Sequence, residues 1–293
     1  MAIKIGKQSE ETSFKLYKGV AAFNVVAVNP NKTELKEITG RDIEEDPVYK
    51  GKDDNGNDTV RITFYVKTDP NAPVNNGIEL TTSFSFILTK AQRVGANSGK
   101  IQVIDKYGRT AWATKEEIAS KTIPQYANGP ANISTEYRPA CQGEEGLIDF
   151  LITWLNIPNP ANYIDGKWVM KENAEDSEVS LNLGNLFAGN VSEISELVKL
   201  AEAYAFKGAV GVRTTDEGKQ YQAVFTRKFV KNSVKDYSKL DQAIQEFKNN
   251  GGAANIEYSV EPLHENVVES TKFTGSDNDV DPFAMPASTS PWD

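Results

Sequence analysis

Residues 60–67, VRITFYVK, alternate without a break. Val60, Ile62, Phe64 and Val66 fall on one side, and Arg61, Thr63, Tyr65 and Lys67 on the other. Successive side chains of an extended chain point to opposite faces, so this period of two specifies a strand with one apolar face. A helix would scatter the same residues around its circumference. The next apolar stretch keeps the period: in Ile78–Thr89, IELTTSFSFILT, the residues Ile78, Leu80, Thr82, Phe84, Phe86 and Leu88 share a side. Only the turn-rich DPNAPVNNG separates the two stretches, which makes them an antiparallel hairpin across a long loop.

The remaining elements follow from the same kind of pattern. Ser13–Asn29 is β-branched and aromatic, a long strand bent at Gly19 and ended by Asn29-Pro30. Thr33–Thr39 is a short helix with Asn31 or Thr33 as its cap and Gly40 as its stop, followed by an acidic loop over Arg41–Asp58. Ile101–Asp105 and Thr110–Thr114 are strands joined by a Lys-Tyr-Gly-Arg turn, and Lys115–Ser120 starts a short helix. Glu144–Leu155 is a helix with Leu147, Ile148, Leu151, Ile152 and Leu155 as its stripe. Asn156–Glu178 is loop-like, and Ser192–Ala203 is a helix capped by Ser192. Ala205–Thr214 and Lys219–Val230 form a second hairpin, with Phe225, Phe229, Tyr221 and Arg227 on one face. Asp241–Lys248 lies in a short amphipathic helix.

Strands in hairpins with no βαβ alternation exclude a doubly wound sheet. The expectation is a mainly β (α+β) chain, an antiparallel OB-type barrel with peripheral helices. It divides into a polar leader at 1–13, a body at 14–264 and a tail at 265–293. The tail is acidic, polar and interrupted by Pro282, Pro286 and Pro291, a composition that stays disordered.

Nothing here reads as catalysis. No GxxxxGK[ST], no GxGxxG after a strand and no GxSxG is present. Cys141 and His264 are the single cysteine and the single histidine, so one chain can build neither a disulfide nor a Cys/His zinc site. In Asp53-Asp54-Asn55-Gly56-Asn57-Asp58 an EF-hand register would need Gly51 and Ile62 as ligands, so the segment is a turn. The expectation is a non-enzyme without cofactor or metal. The start, MAIKIGKQSEETS, has no apolar stretch, and no run approaches the roughly 20 apolar residues of a membrane helix. With one cysteine, the reading is a cytoplasmic protein that engages no membrane.

The net charge of −9 is unevenly spread. Residues 34–58 and 265–293 each carry −5, which leaves the rest of the chain near neutral with local basic clusters. Three clusters mix cations with aromatic rings, the combination that holds single-stranded nucleic acid by phosphate contact and base stacking. They are Arg61, Tyr65 and Lys67 on one strand; Lys100, Lys106, Tyr107, Arg109 and Trp112 around a hairpin tip; and Tyr221, Arg227, Lys228 and Lys231 on another strand. In this reading Tyr65, Tyr107, Trp112 and Tyr221 stack on bases and the cations neutralise phosphates. The tail, with Asp277, Asp279, Asp281, Phe283 and Trp292, is an anionic arm that competes for the groove or docks on partners.

The segment NPNKTELKEITGRDIEEDPVYKG followed by VRITFYVK, the KYGRTAWAT hairpin and the acidic tail ending in apolar residues resemble single-stranded DNA-binding proteins of large tailed bacteriophages, including crAss-like ones. The resemblance implies an OB barrel that coats single strands during replication, recombination and repair. It also implies a tail that recruits replication or recombination proteins, and self-association on DNA. Some phage relatives carry a zinc site, which this chain cannot build. The rival reading is a non-catalytic structural or assembly protein of a virion.

Overall fold

A computed structural model describes residues 15–95, 99–104, 110–120, 138–157, 161–164, 167–170, 183–200, 204–252 and 254–266. The leader at 1–13 and most of the tail, from 267 onward, lie outside them. The period-two stretches are long strands: β1 (Leu16–Val28), then after α1 (Lys32–Thr39) and the short β2 (Lys50–Lys52), β3 (Asp58–Thr68) and β4 (Thr81–Gln92). A small sheet follows, of β5 (Ile101–Ile104), β6 (Thr110–Ala113) and, beyond α2 (Lys115–Ala119), β7 (Arg138–Pro139). β8 (Cys141–Gln142) leads into α3 (Glu144–Trp154). β9 (Ala161–Ile164) and β10 (Lys167–Met170) pair as a hairpin inside the stretch read as a loop. Then come α4 (Leu183–Phe187), α5 (Ser192–Leu200), β11 (Ala205–Thr214), β12 (Gln220–Lys231), α6 (Ser238–Asn249), β13 (Ile256–Tyr258) and β14 (His264–Asn266).

The main sheet runs β12-β11-β1-β3-β4-β8 and is antiparallel. β1, β3 and β4 are successive neighbours, and β11 returns after a long connection to lie against β1, which is a Greek key. The sheet curls into a half-barrel until the Phe229 ring of β12 lies 4.9 Å from the Phe84 ring of β4. α3 fills the remaining seam. Its Phe150 ring stands 4.8 Å from Phe64, 5.1 Å from Phe84 and 5.0 Å from both Phe206 and Phe229. The buried stripe of α3 is therefore Leu147, Phe150, Leu151 and Trp154, with Ile148 and Ile152 only half-buried. The expected stripe is displaced because the large rings, which gain most from leaving water, turn into the barrel. Glu144 is buried at the start of α3, gripped by both guanidinium nitrogens of Arg138 and by the Cys141 N–H at 3.0 Å.

Side-chain amides complete the ladders where strands fall short. Asn75, fully buried, accepts from the Ala22 N–H at 2.8 Å and donates to the Ala22 carbonyl at 2.9 Å. Gln222 does the same for Tyr17, at 2.9 and 2.8 Å. Asn29 bonds the Thr63 N–H at 2.6 Å and the Arg61 carbonyl at 2.9 Å. The bend at Gly19 lies where β1 passes from β14 to β11; its φ of 132° and the Pro262 carbonyl, 2.7 Å from where a Cβ would sit, leave room for glycine alone.

α1 is as expected, with a capping box between Asn31 and Glu34 and Gly40 in the left-handed region. Other expectations are corrected. Ser192 is the first residue of α5, and its N–H donates to the Asn190 side chain. Glu265 and Asn266, assigned to the tail, belong to β14 and pair with β1. Phe225 and Phe229 lie on opposite faces, because the pairing slips between Gly208 and Val210 by an odd number of residues on β12. Phe229 joins the barrel core, and Phe225 packs with Leu240 and Ile244 under α6 on the outside.

Candidate nucleic-acid interface

Val60, Ile62, Phe64 and Val66 are all in the barrel core, so the alternate residues of β3 face outward. There Arg61, Thr63, Tyr65 and Lys67 lie in register beside Ile87, Ser85, Ser83 and Thr81 of β4. Lys67 and Ile87 are exposed, while Arg61, Thr81, Ser83 and Ser85 are half-exposed. The Thr63 and Ser85 hydroxyls bond each other at 2.8 Å. Further round the same outer surface α6 covers Val20 of β1, Ala209 of β11 and Phe225 of β12. The inner surface is sealed by α3, α4 and α5, whose Phe150, Leu186 and Ile194 are buried. Among the described residues the outer strip of β3 and β4 is thus left partly open to solvent, at Arg61, Lys67, Thr81, Ser83, Ser85 and Ile87, while Thr63 is buried.

Tyr65 is a correction. It stands on this strip but is only 7% exposed, so its ring offers no face to a base. The segment read as a simple acidic loop runs close by. Tyr49 anchors it by donating its hydroxyl to the Pro30 carbonyl at 2.8 Å, and its own carbonyl accepts from the Arg61 N–H at 2.7 Å. Burial pushes the Tyr49 phenol well above the usual range, with the Tyr65 phenol and Glu34 adding to the rise and Arg61 opposing it. β2 then pairs with the start of β3. In the turn before β3 the Asp53 carboxylate accepts from the N–H of Asn55 and Asn57 and the Asn57 amide, which holds it below the ordinary carboxylate range.

The second cluster is partly assembled. Trp112 on β6 is 39% exposed, and the Arg93 guanidinium lies 5.6 Å from its ring centre. Backbone bonds fix that pair: Gln102 of β5 donates to the Arg93 carbonyl at 2.9 Å and is itself the register partner of Trp112. Lys100 is next to this ladder, its carbonyl accepting from Gly95 at 2.8 Å. Lys106, Tyr107 and Arg109 lie outside the described residues. Arg93 belongs to the basic run 90–109 but was not singled out in sequence; only the small sheet places it over Trp112.

The third cluster is dispersed by β12 itself. Arg227 turns outward over the Phe247 ring of α6 at 4.4 Å, and partial burial lowers its proton affinity. Lys228 reaches Asp149 of α3 at 3.4 Å, and Lys231 donates to the Ile157 carbonyl just past α3 at 2.7 Å. Their positive charges serve to hold helices against the sheet. Tyr221 is half-buried opposite Arg213 of β11. Asp277, Asp279, Asp281, Phe283 and Trp292 lie outside the described residues.

Among the described residues no helix is long and apolar enough to cross a membrane. No family model, curated protein or solved structure matches the chain.

Proposed function

We propose that this chain is a sequence-independent single-stranded DNA-binding protein built on an OB-type barrel. The strand lies across the outer face of β3 and β4. The observation that carries the reading is that strip: a hydroxyl-rich sheet face, partly open among the described residues, with Lys67 and Arg61 on it. OB barrels bind oligonucleotides on the face of their second and third strands, between the loops that follow the first and fourth. β3 and β4 are the second and third long strands here. The fifth long strand, β12, approaching β4 with α3 in the gap also agrees with a partly open barrel.

In this reading Arg61 and Lys67 neutralise phosphates, and Trp112 with Arg93 above it stacks on a base. Such stacking contributes about 1–3 kcal/mol per base and tolerates any sequence, since every base has a flat face. The acidic tail recruits replication or recombination proteins.

The test is tryptophan fluorescence during titration of the full chain with oligo(dT) and with duplex DNA, at low and high salt. Single strands should quench, and salt should reverse the quench, because phosphate neutralisation releases counterions. Of the four tryptophans Trp154, 1% exposed, is shielded from this quench, and Trp112→Phe should reduce it. Equal response to duplex, or none to either ligand, overturns the proposal.

A further inference from the structure

Arg213 was not singled out by the sequence, where it ends the mostly apolar run AFKGAVGVR, six residues after Lys207. It sits on β11 with Tyr221 of β12 as its register partner on one side and Ile256 of β13 on the other. Ala209 packs under α6 on the outside of the sheet, so Gly211 and Arg213, two and four residues on, share that outer face. The Tyr258 ring lies over Gly211, 2.7 Å from where a Cβ would be.

The Arg213 Nε is buried and has no hydrogen-bond partner. Trp154 Nε1 shares that condition, but it is enclosed in the aromatic core, whereas Arg213 is at a strand end beside the 215–219 hairpin turn. Nearby carboxylates are committed elsewhere: Glu217 pairs with Lys219 at 3.3 Å and Glu257 with Lys18 at 3.3 Å. Only the Nε is covered: Arg213 as a residue is half-exposed, and its charge is felt by the Tyr258 phenol of β13. A charged group with an unpaired donor costs more than a neutral one, and the half-exposed guanidinium can still be reached by a ligand.

We propose that Arg213 is a phosphate-binding residue, which receives a backbone phosphate of the single strand while the neighbouring Tyr221 ring takes the adjacent base. The proposal rests on the single-strand reading above. A guanidinium is a planar fork of donors matched to the oxygens of a phosphate. A cation and a ring in direct cross-strand register supply phosphate and base contacts within one step of the ladder. The hairpin connecting β11 to β12 would then form a second contact, separate from the β3–β4 strip.

The experiment measures anisotropy of a labelled oligo(dT) bound to the full chain over a range of salt, for the wild type, Arg213→Gln and Arg213→Lys, with thermal unfolding of each. Arg213→Gln should make the slope of log K against log salt shallower by about 0.7, the value for one phosphate on a single strand. Arg213→Lys should keep the slope. The unfolding midpoint of Arg213→Gln should stay close to that of the wild type, since no hydrogen bond to the Nε is lost. An unchanged slope in Arg213→Gln overturns the inference while leaving the single-strand reading intact, and a lowered midpoint with unchanged binding assigns Arg213 to the fold instead. Wild-type protein that fails to bind oligo(dT) overturns the parent reading. A parallel titration with dTMP separates the two sources of phosphate: Arg213-dependent binding of dTMP with an unaltered oligo(dT) slope would assign the site to a free nucleotide and also overturn the inference.

Discussion

Asn75 and Ala22 are joined by two hydrogen bonds, one in each direction, with the side-chain amide standing where the next residue of β3 would be. β3 leaves β1 at Thr68, opposite Phe23, and the Ala22 backbone would otherwise be buried with nothing to bond. The same amide donates to the Asp69 carbonyl at 2.7 Å, which fixes the chain as it leaves β3.

Asn75→Ala should therefore lower stability by roughly 2–4 kcal/mol, since it strands a buried N–H and a buried carbonyl. Gln222→Ala should cost about 1 kcal/mol, because that amide is half-exposed and water can replace it. Urea unfolding followed by circular dichroism gives both values, and equal losses would contradict the distinction.

Gly143→Ala should be among the most damaging single changes. Gly143 has φ 85°, and a Cβ there would lie 2.0 Å from the Ile87 carbonyl oxygen, a backbone atom that no rotamer change can move. α3 would have to lift off β4, withdrawing Phe150 from the rings it joins. The expected loss is more than about 3 kcal/mol, read as a drop in urea midpoint and rapid proteolysis.

Lys67→Ala and Arg61→Ala should each make the salt dependence of oligo(dT) binding shallower by about 0.7. Lys228→Ala, whose ammonium faces Asp149, should leave the slope unchanged. If Lys228→Ala matches the other two, the strand follows β12 and not the β3–β4 strip.

Stability should fall at alkaline pH. Burial raises the Tyr258 and Tyr49 phenols, and burial followed by the Glu144 charge raises the Cys141 thiol. An acid harder to ionise in the folded chain contributes stability that is complete below its unfolded value and lost as pH climbs past it. That places the first loss above about pH 8.5 for the thiol and the larger one above about pH 10 for the phenols. Urea midpoints at pH 7, 9 and 11 should decline in that order; a constant midpoint would show that the three groups titrate alike in both states.

Much of the strand architecture was legible because one buried face leaves a period of two in the sequence. β3, β4 and the β11–β12 hairpin read directly, as did the Asn31 cap and Gly40 stop of α1. What failed depends on contacts made at a distance. The burial of Tyr65 is set by the surrounding fold and leaves no mark on the alternation of its own strand. The separation of Phe225 from Phe229 comes from a bulge, and a bulge leaves no mark in an alternating string. β2, β13 and β14 span three residues each, too few to show a period, and pair only because longer strands offer them an edge. In the candidate interface Arg61, Lys67 and Trp112 were read as exposed and are at least partly exposed, whereas Arg93 and Arg213 stand out only by the ring each one neighbours.

Among the described strands β1 and β14 are the first and the last in the chain, and they pair with each other. The start of β1 is held by β14, and the pair Lys15 and Glu265 that closes this contact is separated by 250 positions. At about 5–20 residues per second, a ribosome needs roughly 12–50 s to cover that distance. For that interval Leu16–Lys18 has no β14 to pair with, while the β1–β3 and β1–β11 ladders can already form, so this seam is the last of the β1 pairings to close.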